Sequence, residues 1–70
     1  MGLQPHQQRV VDEKKELDDK RGKLIVFFNT PIFAALEQSE KDRLSVQLGV
    51  MGVYSEILAQ RIAAFVPFLL

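Results

Sequence analysis

Ser39–Phe65 reads SEKDRLSVQLGVMGVYSEILAQRIAAF, and this stretch decides the fold. Wound at about 3.6 residues per turn, it gathers Leu44, Leu48, Met51, Leu58, Ile62 and Phe65 into one apolar stripe. Val46, Val50, Val53, Ile57 and Ala64 form a second stripe on nearly the opposite side. Between the two runs a thin polar row at seven-residue spacing: Gln47, Tyr54 and Arg61. One stripe can face a helix of the same chain. The other needs cover from elsewhere. Ser39 followed by Asp42 resembles a capping box at the helix start. Gly49 and Gly52 are poor helix formers, and a close approach of another backbone would explain them. Pro67 is expected to end the helix, and the short apolar tail FVPFLL (65–70) is expected to dock on the protein rather than on a membrane.

Upstream, His6 to Phe28 is also helical in pattern. Val10, Leu17, Leu24 and Phe28 share one face, and strand alternation is absent. Pro5 suits the first turn. Glu16–Lys20 and Asp19–Lys23 are acid-before-base pairs one turn apart. Lys14 and Arg21 project near the middle of the apolar stripe. Their stems can cover apolar surface while their heads reach water. The alternative is that the basic heads converge on an anion. Between the long helices, Thr30 is a natural N-cap and Pro31 a natural first residue for a short helix. The expectation is one domain, 1–70, with helix 1 at about 6–28, a short helix at about 31–36 and helix 2 at about 40–66. The short connection predicts an antiparallel helical hairpin, an all-α fold.

Seventy residues form one small domain. Chains of this size bury only about 60% of their unfolded surface. They usually need disulfides, a metal or oligomerisation. Cysteine is absent, so disulfides and thiolate zinc sites are excluded. His6 is the single histidine, and no carboxylate spacing suggests a metal. Homo-oligomerisation remains, and the two-striped helix points the same way. Net charge is zero, which argues against a binder of polymeric nucleic acid. The start, MGLQPHQQ, is polar, and no apolar run reaches the roughly 18 residues of a membrane span. Absence of cysteine is compatible with the cytosol.

Catalysis finds little support. Ser39 reads as a cap, and Ser45 and Ser55 lie in the long helix without a histidine nearby in sequence. The carboxylates of helix 1 alternate with Lys and Arg and read as solvated pairs. No cofactor is expected. Two non-enzyme classes compete. One is a structural or protein-binding helical oligomer. The other binds a small anion between protomers, with Arg61 and Tyr54 offering a fork of donors and a ring, and Lys20, Lys14, Arg21 and Arg9 adding charge. The residues alone lean to the structural oligomer.

Three pieces in order shift that balance: PHQQRVVDEKKELDDKRGKL (5–24), PIFAAL (31–36) and VYSEILAQRIAAF (53–65). Together they resemble the small bacteriophage helical-hairpin proteins that act as anti-CBASS and anti-Thoeris cyclic-nucleotide sponges. The resemblance implies a homo-oligomer, with a hexamer favoured, in the cytoplasm of the infected bacterial host. It implies binding of cyclic di- or trinucleotide messengers between protomers, without cleavage. Lys20 of LDDK matches a lysine suited to the dinucleotide pocket, and Arg61 of LAQRI an arginine suited to the trinucleotide pocket. Tyr54, Arg9, His6, Lys14, Arg21 and Gln47 complete the candidate set. Two departures stand out. Pro5 and His6 occupy the region where the family pattern has an aromatic residue, and LGVMGV (48–53) is greasier than usual.

Overall fold

The computed structural model describes residues 2–65. It contains three helices: α1 at Pro5–Phe27, α2 at Pro31–Ala34 and α3 at Gln38–Ala63. There are no strands among the described residues. The tail beyond Phe65, including Pro67, lies outside them. Among the described residues, no helix is long and apolar enough to cross a membrane.

Local chemistry explains each boundary. Pro5 occupies the first position of α1, where its missing N–H is not needed. Gln4 caps the helix, and its backbone N–H donates to Gln7 Oε1 at 2.9 Å. Thr30 caps α2: the Phe33 N–H donates to Thr30 Oγ1 at 3.2 Å, while the Thr30 hydroxyl donates to the Phe27 carbonyl at 2.7 Å. The start of α3 differs from the sequence expectation. Glu37, not Ser39, is the N-cap. The Glu40 and Lys41 N–H groups already donate to the Glu37 carbonyl, at 3.0 and 3.1 Å, so the ladder begins too early for Ser39 to cap it. Asp42 is instead held by Gln38, whose Nε2 donates to Asp42 Oδ1 at 2.8 Å.

Two cross-helix contacts fix the direction of the hairpin. Lys14 meets Ser55, and Arg21 lies over Gly52, so α1 ascends as α3 descends. Inward positions on α1 run Val10, Lys14, Leu17, Arg21, Leu24, Phe28. On α3 they run Leu44, Leu48, Met51, Ser55, Leu58, Ile62. Both follow an alternating three-and-four spacing, the pattern of a coiled-coil seam. At the closed end Phe33 stacks on Phe28 with ring centres 4.3 Å apart, and meets Phe27 edge-on at 6.0 Å. Lys41 Nζ stands 5.7 Å from the Phe33 ring centre. These contacts hold the short connection against both long helices.

The core is thin. Among the described residues, only Val10 and Leu58 are buried apolar side chains, and only Leu58 is fully buried. The second stripe of α3 is uncovered: Val46, Val50, Val53 and Ile57 are 66, 61, 64 and 49% exposed. Within the hairpin the two glycines differ in what stands over them. Gly52 is approached by the Arg21 guanidinium, whose Nη2 lies 3.4 Å from where a Cβ would stand. Nothing lies within 4 Å of the corresponding point at Gly49.

Candidate functional site

The heptad register divides the polar residues between two edges of the α1–α3 seam. Lys14 and Arg21 share one register position on α1, and Ser55 holds the matching position on α3. Gly52 and Asp18 flank that same edge, as their contacts show. In an antiparallel pair the opposite edge is then flanked by the residues just before the inward ones. On α1 these are His6, Glu13 and Lys20. On α3 they are Gln47, Tyr54 and Arg61.

On the first edge, Lys14 Nζ donates to Asp18 Oδ2 at 2.7 Å and to Ser55 Oγ at 3.0 Å. The Ser55 hydroxyl donates to Asp18 Oδ1 at 2.5 Å, closing a three-membered polar junction. Ser55 is buried, and the Lys14 side chain is 26% exposed. The Lys14 ammonium beside Asp18 holds its carboxyl below the usual carboxylate range, with the Ser55 hydroxyl adding to the effect. Lys14 therefore neither reaches freely into water nor waits for an anion. It is satisfied within the hairpin.

One heptad on, Arg21 is placed differently. Its Nε is buried and has no hydrogen-bond partner. Its guanidinium lies against Gly52 and borders an open groove of about 690 Å³, whose walls include Ser45, Gly49, Val53, Glu56 and Ile57. An unpaired buried donor costs about 1–3 kcal/mol, so Arg21 is expensive where it stands. The planar guanidinium keeps a fork of donors for a carboxylate or phosphate.

On the second edge, His6, Lys20, Gln47, Tyr54 and Arg61 are all exposed. Arg9 is exposed one step further round α1. Lys20 forms no ion pair with Glu16, whereas Lys23 pairs with Asp19 at 3.2 Å. The edge thus presents two cations, one carboxylate (Glu13), one amide and one phenol ring to solvent, with His6 at its end. The eight candidate residues are therefore not one cluster. Lys14 and Arg21 stand on one edge, Lys20, Tyr54, Arg61, Gln47 and His6 on the other, with Arg9 beside them.

Ser55 and Asp18 were not legible as partners of Lys14. The signal was present: Ser55 occupies the inward slot between Met51 and Leu58, and Asp18 follows Lys14 by one turn. A hydroxyl in an otherwise apolar row asks for a polar neighbour across the seam. No cluster of potential metal ligands occurs among the described residues.

A family model described as Sequestin matches residues 4–64, from the N-cap of α1 to the C-cap of α3. Comparison with curated proteins gave no match, and neither did comparison with solved structures. The family's name speaks of sequestration rather than turnover. With the match spanning both long helices and their connection, the chain belongs to the Sequestin family.

Proposed function

We propose that this protein is a phage anti-defence protein that binds and sequesters cyclic di- or trinucleotide messengers without cleaving them. It works as a homo-oligomer, a hexamer being favoured, in the cytoplasm of the infected host. The observation that carries the reading is the exposed edge of Lys20, Tyr54 and Arg61 in a chain whose family is named for sequestration. A cyclic nucleotide needs cationic donors for its phosphates and flat surfaces for its bases. Lys20 and Arg61 offer the first, and Tyr54, with His6 at the end of the row, offers the second. Nothing on that edge pairs a nucleophile with a base, so binding without turnover is the chemistry it supports.

Isothermal titration against a panel of cyclic di- and trinucleotides tests the proposal. Binding of at least one messenger with no product formed supports it. Silence across the panel at high micromolar concentration overturns it. Lys20 stands on α1, away from the outer stripe of α3. Lys20→Ala should weaken binding about tenfold, the worth of one charge-assisted hydrogen bond, with the mass in solution unchanged.

A second reading has an observation of its own. The uncovered Val46–Ile57 stripe favours a structural or protein-binding helical oligomer with no nucleotide ligand. Capture of a host protein by a chain that is silent in the titration would select it.

A further inference from the structure

The outer face of α3 carries a second heptad seam. Val46, Val50, Val53 and Ile57 follow a four–three–four spacing, the same alternation that packs α3 on α1. All four are about half exposed or more, and nothing among the described residues covers them. Gly49 beside them has open space where a side chain would be. A mid-helix glycine costs about 1 kcal/mol against alanine, and no contact among the described residues accounts for it here. An unfilled seam of helical period fits another helix better than a sheet or a loop.

The flanks say which helix and in which direction. One flank of the outer seam is Gln47, Tyr54 and Arg61; the other is Asp42, Gly49 and Glu56, all exposed. In a parallel pair of heptad helices, each flank faces the opposite flank of its neighbour. That sets Asp42 against an amide, Gly49 against a phenol ring and Glu56 against a guanidinium. In an antiparallel pair each flank faces itself, which brings Asp42 toward Glu56 and leaves Arg61 without a carboxylate. We infer that the outer face of α3 packs in parallel on α3 of a second copy, with Glu56 of one chain pairing with Arg61 of the next and Tyr54 covering Gly49. The four seam residues are all β-branched, a composition that favours three or more strands over two.

This inference deepens the self-association in the proposed function and does not depend on a nucleotide. Arg61 has five N–H donors, enough to hold a carboxylate on one edge and face a phosphate on the other. The row Gln47–Tyr54–Arg61 would then stand at the junction of the inner and outer seams.

Charge exchange tests it, read by sedimentation equilibrium at a fixed protomer concentration. The wild type is expected to be an oligomer. Glu56→Arg should set two cations against each other and lower the mass toward the monomer, as should Arg61→Glu with two acids. The double variant Glu56→Arg/Arg61→Glu restores the pair with its sense reversed and should restore the mass. A monomeric wild type overturns the inference, and so does a double variant no better associated than the singles. Circular dichroism on each variant separates loss of assembly from loss of the helix. Direction is read separately by Val46→Cys, since the chain has no other cysteine. Parallel packing brings the new thiols together and gives a disulfide-linked dimer on oxidation. No crosslink in a variant that still associates overturns the parallel arrangement. An oligomer that responds to charge exchange yet ignores every nucleotide leaves this inference standing and removes only the nucleotide reading.

Discussion

Lys14 and Arg21 occupy the same register position on α1, one heptad apart, and the hairpin treats them in opposite ways. Lys14 is joined to Asp18 and Ser55, so all three groups have partners. Arg21 meets Gly52, which offers no side-chain acceptor, and its Nε is buried unpaired. The difference does not lie in α1 alone, because Asp18 stands within one turn of both cations, after Lys14 and before Arg21, and both act on its carboxyl. It lies in what α3 places opposite: a hydroxyl at Ser55, no side chain at Gly52. A polar residue in a thin seam stabilises or destabilises according to the partner supplied across it. The Lys14 region behaves as structure. The Arg21 region retains a stability cost beside an open groove.

Apolar packing holds the seam around both cations. Leu58→Ala is the largest way to break it, because Leu58 is the one fully buried side chain among the described residues and follows Ser55 by less than a turn. The loss should be about 2–5 kcal/mol. In a core this thin, urea denaturation at matched protomer concentration should show the midpoint collapsing. An unchanged midpoint would mean that the Lys14 junction, not the apolar layer, holds the helices together. A smaller and sharper test reverses sign between the two cations. Arg21→Met removes the unpaired donor and keeps the apolar stem, so the melting temperature should rise. A gain of about 1 kcal/mol corresponds to about 4–8 °C for a domain of this size. Lys14→Met removes two made hydrogen bonds and should lower it. Equal signs for the pair would mean that α3 does not set the two cations apart.

Much of the hairpin was legible in the sequence because its signals are local. Thr30 and Pro31 set the start of α2, and the inner stripe of α3 faces α1 as its period requires. The outer stripe was equally readable, as the exposure of Val46 through Ile57 shows. What failed was whatever needed a neighbour across the seam. Ser39 and Asp42 match a capping pattern, yet the hydrogen-bond ladder of α3 already begins at the Glu37 carbonyl, and Glu37 is the cap. Lys14 and Arg21 looked alike because their own helix treats them alike. Only α3 tells them apart, through Ser55 and Gly52. The candidate residues Lys20, Tyr54 and Arg61 fall on one edge by register. Their ordinary exposure gives no local chemical mark that separates a ligand-binding row from a solvated one.

The smallest test uses pH. Asp18 is held below the usual carboxylate range, first by the hydrogen bond from Lys14 and then by that from Ser55, with Arg21 contributing least. A carboxyl with a lowered folded value adds stability that is fully present above the unfolded value, about 3.9. That stability is lost as pH falls through the folded value. The Asp18 contribution should therefore be flat from neutrality to about pH 5 and should decline on further acidification. Asp18→Asn cannot ionise, so the gap in melting temperature between wild type and Asp18→Asn should narrow as the pH drops. Lys14→Met should narrow it too, because the main cause of the lowered value is gone. Arg21→Met should leave it nearly intact. If Arg21→Met narrows the gap as much as Lys14→Met does, the two cations share one electrostatic site, and the division of the seam into a satisfied junction and an open one is wrong.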